Sequence, residues 1–187
     1  MDPKILIPVI IVVAALIVVI AVLITRQRKS KHLKQQFGPE YDRAVVQHGD
    51  AHHAEAVLID REKRVEKFSL RPLTPSDRER YAEDWAAVQR RFVDDPSNAV
   101  NQADTLVNTV LAARGYPVDE AEQRAADISV NYPSLVQNYR AARVVMLRHS
   151  QSQASTEDLR LAMVNFRSLF DELLETPKGV SHDRLAS

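Results

Sequence analysis

Three histidines lie close together in residues 47–53, and their spacing suits metal binding. If one helix runs through the segment, His48 and His52 share a face and Glu55 follows one turn later. A histidine pair at i, i+4 with a carboxylate can bind Zn²⁺. The glycine and aspartate between the histidines are poor helix formers, however, and no third ligand is identifiable. We therefore interpret the cluster as polar surface and predict no metal and no cofactor.

Two other groups have a spacing that suits ligand binding. Trp85 shares one stripe of a predicted helix with other aromatic residues, but such stripes far more often form core than line a pocket. Arg140, Arg143 and Arg148 suit an anionic ligand or partner, but a solvated helix face is the default interpretation. Neither group is predicted to be a site.

Signatures of catalysis are missing from the sequence. The chain has four glycines and no glycine-rich phosphate loop, Gly-x-Ser-x-Gly elbow or His-Glu-x-x-His zinc helix. Its acids are spread among bases, without an isolated pair in apolar surroundings that would suggest a tuned acid and base. The absence of cysteine excludes disulfides and thiolate nucleophiles. We predict that the protein is not an enzyme.

The formal net charge of zero conceals an asymmetry along the chain. Residues 1–34 carry one acid and six bases, so the remainder must be acidic. An acidic domain behind a basic segment argues against nucleic acid as a partner, because phosphate binding needs a basic face.

One hydrophobic run extends from Ile5 to Ile24, and sixteen of its twenty residues are Ile, Leu or Val. Twenty helical residues span about 30 Å, the thickness of the hydrocarbon layer of a bilayer. Pro8 lies in the first turn, where a missing N–H is tolerated. The run is longer than that of a signal peptide, and no cleavage site follows it. The sequence predicts a transmembrane helix over residues 5–24, with the lipid bilayer as a partner.

Basic residues follow this run at Arg26, Arg28, Lys29, Lys31 and Lys34, against Lys4 alone before it. Because cytoplasmic flanks of membrane spans are rich in Lys and Arg, this bias predicts a single-pass protein of the plasma membrane. Residues 1–4 would lie outside and the C-terminal domain in the cytoplasm. The same bases suit binding of an anionic lipid, but topology alone explains them.

Prolines mark the predicted helix boundaries, because proline is tolerated at the first helical position and excluded from helix interiors. Helices are predicted to begin near residues 39, 75, 96, 118, 135 and 155, with a kink or break at Gly49. Apolar residues recur at helical spacing, as at Tyr81, Trp85, Val88 and Phe92. Since no stretch alternates with a period of two, the predicted fold class is all-α.

The predicted organisation after the transmembrane helix has four parts. Residues 25–37 form a basic juxtamembrane segment, and residues 38–69 form a charged helical neck of one helix or two. Residues 70–175 form a soluble bundle of about four to five helices that buries Trp85. Residues 176–187 are a polar tail predicted to be disordered.

A series of short motifs lies between residues 37 and 135. They are Phe37-Gly38-Pro39-Glu40-Tyr41-Asp42-Arg43, Arg71-Pro72-Leu73, Arg80-Tyr81, Trp85, Val88-Gln89, Phe92-Val93-Asp94-Asp95-Pro96, Ala103-Asp104, Leu106-Val107, Val110 and Arg114-Gly115-Tyr116-Pro117. Together they resemble an uncharacterised family of small bacterial single-pass membrane-anchored proteins. The resemblance implies a bacterial plasma membrane. It brings no activity and no catalytic or ligand residue.

The predicted function is that of a membrane-tethered, non-enzymatic interaction module, an adaptor or scaffold that displays its bundle to a protein partner in the cytoplasm. Tethering raises the effective concentration of a domain toward other proteins held nearby. The alternative is a membrane-anchored sensor whose bundle holds a small ligand or a metal. An exposed apolar groove would favour the adaptor, and a polar-lined cavity near Trp85, Tyr139 or the histidines would favour the sensor.

Overall fold

The structure is a computed structural model that describes residues 3–117 and 120–175, with side chains for 16–21, 23–117 and 120–175. This part of the chain is all helical. Its helices are α1 Pro3–Phe37, α2 Pro39–His48, α3 Ala51–Val65, α4 Pro75–Arg91, α5 Pro96–Ala113, α6 Ala121–Asn131, α7 Val136–Ser150 and α8 Thr156–Leu174. The predicted tail over 176–187 and the predicted helix start at Val118 lie outside the described residues.

The predicted membrane span falls on α1. Within the part of the chain that the structure describes, no helix is long and apolar enough to cross a membrane. The side chains of residues 5–15 and of Val22 lie outside the described part. The finding contradicts the transmembrane helix from Ile5 to Ile24, and with it the single-pass topology and the plasma-membrane location.

The chain divides into two compact units, Met1–Ile59 and Asp60–Ser187. In the first unit α1 packs on α2, and Phe37 and Tyr41 are buried. The Tyr41 hydroxyl donates a 2.9 Å hydrogen bond to Glu55 Oε1. Gly49 ends α2 in the left-handed conformation at φ +82°, so the predicted neck is two helices rather than one. On α1, the aliphatic side chains described from Leu16 to Ile24 are largely exposed.

The second unit contains the bundle α4–α8, whose helices begin where capping residues allow. Thr74 accepts a hydrogen bond from the backbone N–H of Asp77 at the start of α4, and Asp95 caps α5. Ser155 and Asp158 form a reciprocal capping box at the start of α8. Each such cap contributes about 1 kcal/mol to stability. The predicted starts near residues 75, 96 and 155 are therefore confirmed.

Helix α5 organises the packing of the bundle. Both α4 and α8 pack on α5, and α7 packs along α8 and also contacts α5 and α6. Trp85 is 4% exposed, which confirms its predicted burial, and its ring stacks on Phe170 with the centroids 4.6 Å apart. Side chains of α4 and α8 also line a groove between these two helices.

The C-terminus of α5 is joined to the segment that precedes α4. The backbone N–H groups of Gly115 and Tyr116 bond back to Ala112 and Leu111, which closes the last turn of the helix. The Arg71 backbone N–H bonds to the carbonyl of Arg114 at 3.0 Å. This contact holds the chain before α4 against the end of α5.

Candidate functional site

The groove between α4 and α8 is the candidate functional site. Its volume is about 240 Å³, and it is lined by Trp85, Gln89, Phe92, Arg160, Met163, Val164 and Arg167. The residues of α4 and its C-cap Phe92 are spaced i, i+4, i+7, and the α8 residues are spaced i, i+3, i+4, i+7, so each helix contributes a single face. The groove is thus formed by one face of each of the two helices.

The floor of the groove is apolar and continuous with the core. Trp85 and Met163 are buried, Phe92 is half-buried, and Val164 is 52% exposed. The indole N–H of Trp85 is buried without a hydrogen-bond acceptor among the described residues. A buried donor left unpaired lowers stability by about 1–3 kcal/mol, so such a group calls for a physical explanation.

The rim of the groove is cationic. Arg160 donates from Nε and Nη2 to the carboxylate of Glu157 at 2.7–3.0 Å, and Arg167 donates from Nε to Asp171 Oδ2 at 3.3 Å. The hydrogen bonds from Arg160 hold the pKa of Glu157 below its ordinary value. Both carboxylates lie outside the lining, so the groove itself presents two guanidinium groups and, in the described part, no carboxylate.

Two arginines of α7 do not form the predicted solvated face. Arg140 is 8% exposed, with its Nε 3.7 Å from Glu122 Oε1. Arg143 donates to Asp104 Oδ2 at 2.7 Å. Burial raises the pKa of Asp104, and the charge of Arg143 opposes that rise. The prediction is wrong for Arg140 because its partner comes from α6, which periodicity within α7 cannot reveal.

A neighbouring arginine links the same three helices. Arg124 of α6 donates to Asn108 Oδ1 of α5 at 2.9 Å and to the Tyr139 hydroxyl of α7 at 3.1 Å. Burial raises the pKa of Tyr139. Arg148, in contrast, is exposed, with its Nη1 3.8 Å from Asp158 Oδ1. The polar contacts of Arg124, Arg140 and Arg143 join different helices, so their role is to hold α5, α6 and α7 in position.

The histidine cluster does not form the metal geometry considered from the sequence. Because α2 ends at His48 and α3 begins at Ala51, His48 and His52 do not lie on one continuous helix. Asp50 accepts hydrogen bonds from the backbone and ring of His53, which lowers the pKa of Asp50 to about 2 and raises that of His53. In the described residues, no group of three His, Cys, Asp or Glu is placed to hold a metal ion.

The basic residues of the predicted juxtamembrane segment are exposed on α1: Arg26, Arg28, Lys29, Lys31 and Lys34. Arg26 and Lys29 line a cleft of about 500 Å³ between α1 and α3, together with His52 and Glu55. The Lys34 ammonium lies 5.2 Å from the centroid of the Tyr41 ring. Of the predicted span ends, Ile24 is exposed on α1, and the side chain of Ile5 lies outside the described part.

The α8 side of the groove was not predicted as a site from the sequence. The two arginines that flank Met163 carry no motif. One signal was available: Arg160 and Arg167 are seven residues apart, which places both on the helix face that also carries Met163 and Val164. A basic edge around an apolar pair is typical of a partly exposed helix face.

No protein-family model, curated protein or solved structure matches the chain. The resemblance between residues 37 and 135 therefore stays a prediction, and the groove is interpreted from its own geometry.

Proposed function

We propose that this protein is a non-enzymatic interaction module whose groove between α4 and α8 binds a segment of a partner protein. The proposal rests on apolar surface that is exposed to solvent beside a core tryptophan. Val164 is 52% exposed and lines the groove together with the buried Met163 and Trp85. Exposed apolar patches with polar rims are typical of interaction sites. Tryptophan and arginine, both present here, are enriched at the energetic hot spots of interfaces.

The size of the groove suits the side chains of a partner better than a whole small molecule. Its volume is about 240 Å³, whereas pockets for small molecules usually have about 300–1,000 Å³ and enclose most of the ligand. A shallow groove between two helices is also the geometry in which partner helices insert apolar side chains. Both features support the adaptor over a sensor at this groove.

The titratable groups of the groove support binding rather than catalysis. They are Arg160 and Arg167, and arginine is a hydrogen-bond donor that does not act as an acid or a base in proteins. General acid–base catalysis needs a group whose pKa lies near the working pH. The proposal therefore gives these arginines a role in recognition.

The first test compares two substitutions on α8. Val164→Glu is expected to abolish partner binding, because it removes the exposed apolar surface of the floor and places beside Arg160 and Arg167 a carboxylate that can pair with them in place of the partner. Leu161→Glu is the matched control, since Leu161 is 46% exposed on the same helix and lies outside the groove lining. The measurement is quantitative crosslinking and mass spectrometry of the full chain in its native cells. Circular dichroism first checks that both variants keep the helix content of the wild type.

The expected result is a set of crosslinked proteins that the Val164→Glu chain loses and the Leu161→Glu chain retains. If both variants keep the same set at the same yield, the groove is not the binding surface and the proposal fails.

One observation favours a second candidate, a domain that binds a small anionic ligand. The cleft between α1 and α3 has about 500 Å³, within the range of small-molecule pockets, and its lining includes Arg26, Lys29 and His52 against one acid, Glu55. If this second candidate is correct, we expect a small anionic compound to copurify with the full chain and to be lost from an Arg26→Gln/Lys29→Gln variant. Val164→Glu would leave it bound.

A further inference from the structure

The charge of the groove restricts what its occupant can be. Arg160 and Arg167 stand on the rim, and among the described lining residues no acid offsets them. Each arginine is already paired with a carboxylate of its own helix, Glu157 or Asp171, but these pairs are more than half exposed. Exposed ion pairs contribute little to stability, so a partner carboxylate can share or replace them at small loss. A basic partner would instead meet unfavourable charge.

The shape of the groove restricts the occupant further. Arg160 and Arg167 are seven positions apart on α8, which corresponds to about 10 Å of helix. A partner helix of two turns matches that length, with apolar side chains at i, i+3 or i+4 and i+7 along one face. Those side chains would cover Val164 and Phe92, the parts of the floor that remain accessible.

We infer that the groove binds an acidic amphipathic helix of a partner protein, whose aliphatic face covers Val164 and Phe92 and whose carboxylates pair with Arg160 and Arg167. The inference rests on the proposed function and names the chemistry of its partner. The indole N–H of Trp85 is enclosed beneath the groove, so the inference rests on the apolar floor and on the charge of the rim.

The test uses three synthetic peptides of about 15 residues, the length at which isolated helices become marginally stable. The first has leucine at i, i+4, i+7 and i+11 and glutamate at its exposed positions. The second replaces each glutamate with lysine, and the third replaces each leucine with alanine. Binding to the full chain is followed by the anisotropy of labelled peptide and by the emission of Trp85, the chain's single tryptophan.

We expect only the acidic leucine peptide to bind and to change the emission of Trp85. Raising the ionic strength from about 0.05 M to about 0.5 M should weaken this binding, because the pairs on the rim are exposed to solvent. The Arg160→Gln/Arg167→Gln variant should bind the peptide about tenfold more weakly. Arg80→Gln is the matched control, because Arg80 forms the same i, i−3 pair with Asp77 away from the groove. It should bind as tightly as the wild type.

The outcomes separate this inference from the proposed function. Equal binding of the acidic and lysine peptides, or no binding of the acidic peptide, overturns the acidic helix. Self-association of the full chain that Val164→Glu abolishes also overturns it, since the occupant would then be a second copy of this chain. In each case the proposed function is judged separately, by whether Val164→Glu removes the crosslinked partners. If the Val164→Glu variant still binds the acidic peptide, the groove is not the site at which the peptide binds.

Discussion

Replacing Trp85 with alanine is expected to lower the free energy of unfolding by about 3–5 kcal/mol, a large share of the 5–15 kcal/mol typical of a domain. The substitution leaves a cavity under the groove and removes the stacking on Phe170. Urea unfolding followed by circular dichroism measures the change, because the variant has no tryptophan emission. A wild-type unfolding midpoint would show that Trp85 does not support the core.

Trp85→Phe is the control for this substitution. It keeps an aromatic ring against Phe170 and removes the N–H that has no acceptor among the described residues. We expect it to lose clearly less stability than Trp85→Ala, because part of the lost packing is offset by removal of the unpaired donor. If both variants unfold at the same midpoint, ring packing is not the source of the effect.

Gly115→Ala is the second substitution with a large expected effect, a loss of at least about 3 kcal/mol. Gly115 has φ +95°, a conformation that residues with a Cβ rarely adopt. A Cβ would also lie 2.4 Å from the carbonyl oxygen of Ser69, so the backbone before α4 would have to move. Since that segment is bonded to the end of α5, the strain is expected to reach both helices. Thermal unfolding followed by circular dichroism measures the loss.

Gly49→Ala separates backbone strain from the steric clash. Gly49 has φ +82°, but a Cβ there would meet nothing within 4 Å. It is therefore expected to lose only the conformational contribution, about 1 kcal/mol. If Gly49→Ala and Gly115→Ala lose similar amounts of stability, the close approach of Ser69 to Gly115 does not contribute to the effect.

Features that depend on local chemistry were predictable from the sequence. The caps at Thr74, Asp95 and Ser155 lie beside the residues that start a helix, so the beginnings of α4, α5 and α8 follow from short segments. The burial of Trp85 also follows, because its stripe of apolar residues needs a partner face.

Features that depend on contacts between distant segments were not predictable. Periodicity shows which residues share a face but not which face the other helices leave uncovered, so Arg160 and Val164 gave no sign of a groove. Arg140 appeared solvated because its partner, Glu122, belongs to another helix. The hydrophobic run from Ile5 to Ile24 led to a membrane span that the described residues do not contain.

The most direct test of the groove as a protein-binding surface is photo-crosslinking from a single position in it. A photoreactive amino acid replaces Val164 in one full-length chain and Leu161 in another, so that both probes are exposed on α8 and only one lines the groove. We expect a protein crosslink from position 164 that is absent from position 161 and is competed by the acidic leucine peptide. The same crosslinked proteins at equal yield from both positions would contradict it.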